Sequence, residues 1–241
     1  MSSINTNNGA MVALQTLRSI NKDLSATQSA ISTGKDINTA KDNSAIWAIS
    51  KVMESDVAGF EAVQDSLAVG ESTVAVASAG AEQIVETLKE MKALSVAGQS
   101  ETADFAKIDA DMQEKIAQIT AITEGSQFNG VNLLKADIDG NASTSLTVVS
   151  SLDRVGTGEP TVTTIDVATA DFTTNLDATT ITPITDSVTA ATAFADIENF
   201  LTVAIDGAAA LGASAQRIDD QGEFMSKLSD AVTSGIGSLV D

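Results

Sequence analysis

The chain has 241 residues, a formal net charge of −20 and a sequence pI near 4.1. That charge disfavours nucleic acid and anionic membranes as partners, because like charges repel. It contains no Cys and no His, which removes disulfides, thiolate metal sites and the usual general base near neutral pH, so no cofactor and no enzymatic activity are expected. Apolar residues reach 43% but aromatic residues only 3%, so contacts must be built from Ala, Val, Ile and Leu, side chains that suit narrow seams between helices.

The N-terminal stretch lacks a basic segment followed by an apolar run, and no eighteen-residue stretch is uninterruptedly apolar, so neither a standard secretory leader nor a membrane span is read from it. The first helix carries an apolar stripe, Ala10, Leu17, Leu24 and Ile31, with Leu14, Asn21 and Gln28 on the companion row. Asn21 and Gln28 are costly in a closed seam, so this helix keeps itself soluble or sets a register with a partner. A break follows at Gly34-Lys35.

The clearest pattern begins after Lys41-Asp42-Asn43-Ser44, a capping run. Ile46, Met53, Phe60, Leu67, Val74, Ala81 and Leu88 recur every seven residues, with Ile49, Asp56, Val63, Gly70, Ala77, Ile84 and Met91 three residues on. Asp56 and Gly70 alone interrupt this heptad pattern, which asks for a helical partner. A shorter amphipathic helix shows Phe105, Ile108, Met112, Ile116, Ile119 and Ile122 on one face and ends near Gly125, with Ser100 and Thr102 as its expected caps.

Residues 137–187 change character to Thr, Ser, Val and Asp, hold both prolines, Pro160 and Pro183, and predict short strands or a hairpin at the surface. The last heptad run is Ala190, Ile197, Ala204, Leu211, Ile218, Met225 and Val232, with Phe194, Leu201, Ala208 and Ala215 beside it. The fold class expected is mainly α: a long antiparallel helical bundle or coiled coil with a small β-hairpin insertion. Its seam is formed by Ile46, Met53, Phe60, Leu67, Val74, Leu88, Ile197, Leu201, Leu211, Ile218 and Met225.

Four stretches, in this order, resemble the bacterial flagellins. They are Ile4-Asn-Thr-Asn-Asn8; Ile31-Ser-Thr-Gly-Lys-Asp-Ile-Asn-Thr-Ala-Lys-Asp-Asn43; Ser126-Gln-Phe-Asn-Gly-Val-Asn-Leu-Leu134; and Leu211-Gly-Ala-Ser-Ala-Gln-Arg-Ile218. The second carries Lys35 where the family has Arg, and Asn43 where it has Asp. The compact middle and Asn43-Ser-Ala-Ile-Trp47 are most similar to the short flagellins of alphaproteobacteria.

The resemblance implies a subunit of the extracellular flagellar filament. It would export through a type III channel with a chaperone and assemble with other flagellin subunits. The division implied is 1–43 for the channel-lining helix and linker, 44–137 with 188–234 for the helical core, 138–187 for a surface-facing insertion, and 235–241 for the start of a C-terminal segment. Leu14, Leu17, Leu24 and Ile31 form the terminal-helix interface, and Phe128, Asn129 and Gly130 the motif turn. Family members continue past Ser238-Leu-Val-Asp241 with another amphipathic helix, so the resemblance also implies that this chain alone forms no normal filament and lacks the chaperone-binding segment. Glu90, within Thr87-Leu-Lys-Glu-Met-Lys-Ala-Leu94, stands where some flagellins place an Arg that engages a Toll-like receptor, which implies weak receptor activation.

Other features have plainer readings. Asp137-Ile-Asp-Gly-Asn141 has carboxylates and a Gly turn but not the spacing of an EF-hand, and reads as a turn. Asn141-Ala-Ser143 matches a glycosylation sequon. Asp219, Asp220 and Glu198 read as solvated helix faces rather than paired catalytic carboxylates, and Met53, Met91, Met112 and Met225 as core fillers. Two alternative functions share parts of the pattern: a hook–filament junction protein, which has the terminal helices, and a helical signalling module, which has Ala-rich heptads but no strand region.

Overall fold

In the computed structural model the described residues are 7–155 and 158–241. The opening Ile4-Asn-Thr match falls largely outside them. The elements run α1 (Asn8–Thr33), α2 (Ser44–Ala97), α3 (Phe105–Gly125), β1 (Ser145–Asp153), β2 (Thr161–Ala168), α4 (Phe172–Asn175), a 3-10 turn (Ala178–Thr180) and α5 (Ser187–Val240). They form two compact units, Phe60–Ser226 on the one hand and Met1–Gly59 with Lys227–Asp241 on the other.

Each long helix opens on an Asn or Asp whose side chain takes up amides that have no partner inside the helix. Asn7 Oδ1 accepts from Ala10 N at 3.1 Å, and Asn43 Oδ1 accepts from Ala45 N and Ile46 N at 3.2 Å each. Asp186 Oδ1 accepts from Val188 N at 3.0 Å and Thr189 N at 2.8 Å, while the Thr189 hydroxyl accepts from Asp186 N at 2.9 Å, a reciprocal box that starts α5. For α3 the cap is Asp104, which accepts from Lys107 N at 3.2 Å, and not Ser100 or Thr102. Those two lie upstream of the first helical residue, Phe105, and their hydroxyls bond each other at 3.0 Å.

In the larger unit α2 and α5 pack antiparallel. Lys92 pairs with Glu198 and sits 5.5 Å from the centre of the Phe194 ring, and a Cβ on Gly98 would meet the Ala190 methyl at 3.1 Å. From Phe60 onward the α2 rows close fully: Phe60, Val63, Leu67, Val74, Ala77, Ala81, Ile84, Leu88 and Met91 are buried, as are Ala190, Ile197, Ala204, Leu211, Ile218 and Met225 of α5. The α3 stripe adds Met112, Ile116 and Ile119.

The hairpin pairs β1 and β2 antiparallel from Ser145↔Ala168 to Asp153↔Thr161, with an irregularity between Val149 and Ser151. Its inner face is not a surface appendage. Val148, Ile165 and Val167 are buried, and the segment after it adds Phe172, Leu176, Ala178, Ile181 and Ile184 to the core. Two side chains clip β1 at the bulge: Ser66 Oγ accepts from Val149 N at 3.2 Å and Gln221 Nε2 donates to Ser150 O at 2.8 Å. The approach is close enough to need glycine. A Cβ on Gly70 would meet Val148 at 2.6 Å, and one on Gly207 would meet the Phe172 ring at 2.6 and 2.8 Å. Gly70 therefore breaks the apolar row because the hairpin lies against it.

Among the described residues α5 is the one helix long and apolar enough to cross a membrane, with mean hydropathy 1.3 over 18 residues. Of that window 22% is buried, and the row Ile197, Ala204, Leu211 and Ile218 lies inside the larger unit.

Gly207→Ala forces its methyl into the Phe172 ring and is expected to destabilise the fold by about 1–3 kcal/mol. Gly212→Ala meets nothing within 4 Å and is expected to stabilise it by up to about 1 kcal/mol through helix propensity. Urea unfolding of both variants measures the pair.

Candidate functional site: an assembly surface on the first helix

An exposed apolar face distinguishes α1. None of its residues is buried. Leu14 is 53% exposed, Leu17 61%, Leu24 53% and Ile31 80%. At 100° per residue these four, together with Ile20, fall within an arc of roughly 120°, the width of a stripe made to face a partner. Large contiguous apolar faces of this kind mark interaction sites.

The linker that holds α1 is an ordered structure. Gly34, at φ 69°, closes the helix with its N–H on Ala30 O at 2.8 Å, a left-handed cap that costs a glycine nothing. Asp36 N and Ile37 N then donate to the carbonyl of Val240 at 2.7 and 3.1 Å. Asp42 Oδ2 accepts from Asn38 N at 3.3 Å, Thr39 N at 2.9 Å and the Thr39 hydroxyl at 2.9 Å. The Thr39 amide first, then its hydroxyl, hold the Asp42 carboxyl below its ordinary value. Glu54 is lowered by its hydrogen bond from Lys51 at 2.5 Å, with Lys35 at 3.9 Å contributing more weakly. The signature 31–43 is thus a loop folded by its own polar groups.

The Phe128–Val131 turn has a comparable logic. Phe128 N and Val131 N each donate to the other's carbonyl at 2.9 Å, with Asn129 at φ 49° and Gly130 at φ 83°. Two successive positive φ values define the mirror-image hairpin turn for which Asn-Gly is the favoured pair. Behind it Asn132, 5% exposed, donates from Nδ2 to Thr123 O at 2.7 Å and accepts at Oδ1 from Leu134 N at 2.9 Å. That side chain stitches the end of α3 to Leu133 and Leu134, both fully buried. Asn132 was inside the motif but not singled out by sequence reasoning. Its signal is a lone amide between apolar residues.

The seam residues divide. Phe60, Leu67, Val74, Leu88, Ile197, Leu211, Ile218 and Met225 are buried, whereas Ile46, Met53 and Leu201 are half-buried. Glu90 is exposed on α2 and receives a 2.5 Å ion pair from Lys115 of α3. Asp137 accepts from Gly140 N at 2.9 Å and Asp139 from Asn141 N at 2.9 Å, so both carboxylates organise a turn. Glu198 is engaged with Lys92, and Asp219 and Asp220 are exposed on α5.

A second buried line on α2 escaped the heptad reading. Thr73, Gly80 and Thr87 recur every seven residues in continuation of Ser66, and all three are buried. Thr73 and Thr87 satisfy their hydroxyls on Val69 O and Gln83 O at 2.8 and 2.9 Å. A Cβ on Gly80 would collide with the Ser126 hydroxyl at 2.2 Å.

These features describe a structural protein that acts through extended helical surfaces, with no enclosed catalytic constellation among its described residues. Residues 4–138 match the family described as bacterial flagellin N-terminal helical region. Flagellin FljM of Caulobacter vibrioides is 35% identical over the whole chain and 85% of its own length. The flagellin of Brucella melitensis is 36% identical over the whole chain and 86% of its own length. Flagellin A of Rhizobium meliloti is 43% identical over 69% of this chain, a match that spans only 42% of that relative. A Bacillus cereus flagellin structure shares the fold with a TM-score of 0.58 at 20% identity, covering 66% of this chain and 88% of that one. A putative hook-associated protein from Vibrio parahaemolyticus does so with a TM-score of 0.52 at 12% identity, covering 83% and 100%. The chain belongs to the bacterial flagellin family, whose members are the structural subunits of the flagellar filament.

Because the folded pKa of Asp42 lies below its ordinary value of 3.8, its contribution is present above that value and lost as pH falls through the lowered one. Lys41 is the charged group beside it. Emission of Trp47, the single Trp, is expected to stay constant from neutral pH down to that value and to change below it. Asp42→Ala is expected to show the acid-type emission already at neutral pH.

Proposed function

We propose that this chain is a filament-forming flagellin whose α1 face joins it to neighbouring flagellin subunits, and that it has no catalytic role. The observation that carries this reading is the wholly unburied apolar stripe of α1 on a protein whose heptad rows are closed from Phe60 to Met91 of α2 and from Ala190 to Met225 along the first row of α5. A monomer gains nothing from Leu14, Leu17, Leu24 and Ile31 in that state; an assembly does. The larger unit supplies the rigid part, with the α2–α5 seam sealed and most of its lysines, Lys89, Lys92, Lys115 and Lys135, already engaged with glutamates of the same chain.

Export through the flagellar channel with a chaperone, and residence in the extracellular filament, accompany this reading. Absence of Cys and the near absence of aromatic residues support it physically: such a chain carries no disulfide to unmake and few bulky rings to thread. A junction protein is the second reading, and the 20% and 12% identical structures share one fold between the two classes. The full-length identities to flagellins favour the first.

Leu17→Asp and Leu24→Asp each place a charge in the α1 stripe without touching a buried contact. Sedimentation under polymerising conditions, in the presence of a longer flagellin that co-assembles, is expected to show each variant lose incorporation while its thermal unfolding stays within about 0.5 kcal/mol of the parent, as surface changes do. Full incorporation of both variants would refute the assembly role of α1.

A further inference from the structure

The Phe128–Val131 turn is held by its outer residues alone. Their two amides make the paired bonds, at 2.9 Å each, which leaves the N–H groups of Asn129 and Gly130 and the Asn129 side chain without a partner among the described residues. Both central residues are exposed, and a Cβ on Gly130 would meet nothing within 4 Å, so solvent reaches the peptide between them. An asparagine followed by glycine holds an electrophile, its side-chain carbon Cγ, within one five-membered ring of a nucleophile, the next main-chain nitrogen. Such proximity favours attack, and glycine adds neither a side chain in the way nor a bar to turning the nitrogen inward. The same chemistry is shut off in the neighbouring turn. At Asp139-Gly140 the glycine N–H is held by Asp137 Oδ1 at 2.9 Å, and the bond from Asn141 N, then that from the Ser143 hydroxyl, keep the Asp139 carboxyl below its ordinary value and therefore ionised, a poor electrophile. Asn141 is followed by Ala142, whose methyl crowds the nitrogen, and its side-chain amide donates to Asp139 O at 3.4 Å. The chain's other Asn-Gly pair, Asn8-Gly9, lies in the first turn of α1 and has no hairpin turn to unfasten.

We propose that Asn129 is a site of spontaneous covalent modification: by cyclising onto Gly130 it becomes aspartate or isoaspartate, and the isoaspartate form unfastens the turn. The Gly130 nitrogen gives its proton to solvent base and bonds to Asn129 Cγ; the bond from Cγ to the side-chain nitrogen breaks, and that nitrogen takes up a proton and leaves as ammonia. One water then opens the cyclic imide. Opening at Cγ restores the ordinary main chain with a carboxylate in place of the amide. Opening at the main-chain carbonyl routes the backbone through the Asn129 methylene instead, and so inserts one extra atom before Gly130. A two-residue mirror-image turn has no slack for that atom, so the Phe128 and Val131 bonds cannot both survive it. The reaction needs no partner and is independent of whether the chain assembles.

The test ages the full chain at neutral and mildly alkaline pH and follows it by peptide mass spectrometry, with isoaspartate told from aspartate by electron-transfer fragmentation. Position 129 is expected to convert about tenfold or more faster than Asn132, Asn141 and Asn175, and faster still as hydroxide rises. Asn129→Gln, whose longer side chain would have to close a six-membered ring, is expected to stay intact. Hydrogen exchange then reads the turn. The Phe128 and Val131 amides are expected to exchange about tenfold or more faster in the isoaspartate form than in the fresh chain, while the Leu134 amide, which donates to Asn132 Oδ1, keeps its rate and reports that the fold is intact. Asn129→Asp adds the charge without the extra atom and is expected to keep the fresh chain's rates. Retention of Asn129 in the folded chain over a time in which a synthetic peptide of residues 126–134 converts would overturn the proposal, as would an isoaspartate form in which both amides are still protected.

Discussion

The fold depends on α2 being buried along two adjacent lines at once. One line is the aliphatic heptad seam that faces α5; the other is the small-residue line Ser66, Thr73, Gly80 and Thr87, reinforced by Gly70, on which the hairpin and the loop after α3 come to rest. Both have to be satisfied by a chain with almost no aromatic residues. Where a large ring cannot fill a gap, the gap is closed by letting a neighbouring side chain rest directly on the helix backbone, and Gly70, Gly80 and Gly207 are places where this happens. Phe172 is the exception that shows the rule: one of the few rings, it is fully buried, and its Cε1–Cζ edge lies against the missing side chain of Gly207.

Much of this was legible in the sequence because helices announce themselves by spacing. The start of α2 follows from the capping run that ends in Asn43-Ser44, the ends of α1 and α3 from Gly34 and Gly125, and the two strands from their β-branched density, whereas α3 is capped by Asp104 and not by the expected Ser100 or Thr102. What stayed hidden has a common physical cause. Thr73 and Thr87 look polar, yet each returns its hydroxyl to a carbonyl of its own helix and is buried at little cost, so a pattern that counts only apolar residues overlooks that line. Asn132 is hidden likewise, because an amide that satisfies both its donor and its acceptor is invisible as a core residue until its partners Thr123 and Leu134 are known. The hairpin was read as a surface insertion from its Thr, Ser and turn-forming residues; in β2 the four residues Thr161 to Thr164 are exposed, and the alternation that buries Ile165 and Val167 covers only two residues.

The exposed stripe of α1 was legible for the opposite reason. A row of Leu14, Leu17, Leu24 and Ile31 with Asn21 and Gln28 beside it is poorly suited to a closed apolar core, and none of the residues of α1 is buried. The larger unit closes its own seam and its own ion pairs, while α1 keeps its apolar residues exposed.

The connection between β1 and β2 has a consequence for what the fold can carry. The strand ladder ends at the Asp153↔Thr161 pair, and beyond it Val155 is 80% exposed. Added residues there would lengthen a loop that closes after the last rung, and closing a loop of twice the length costs only about 0.6 kcal/mol more. The hairpin is therefore a mounting post: a foreign peptide grafted between 154 and 160 would be displayed without re-registering a strand or loosening a helix.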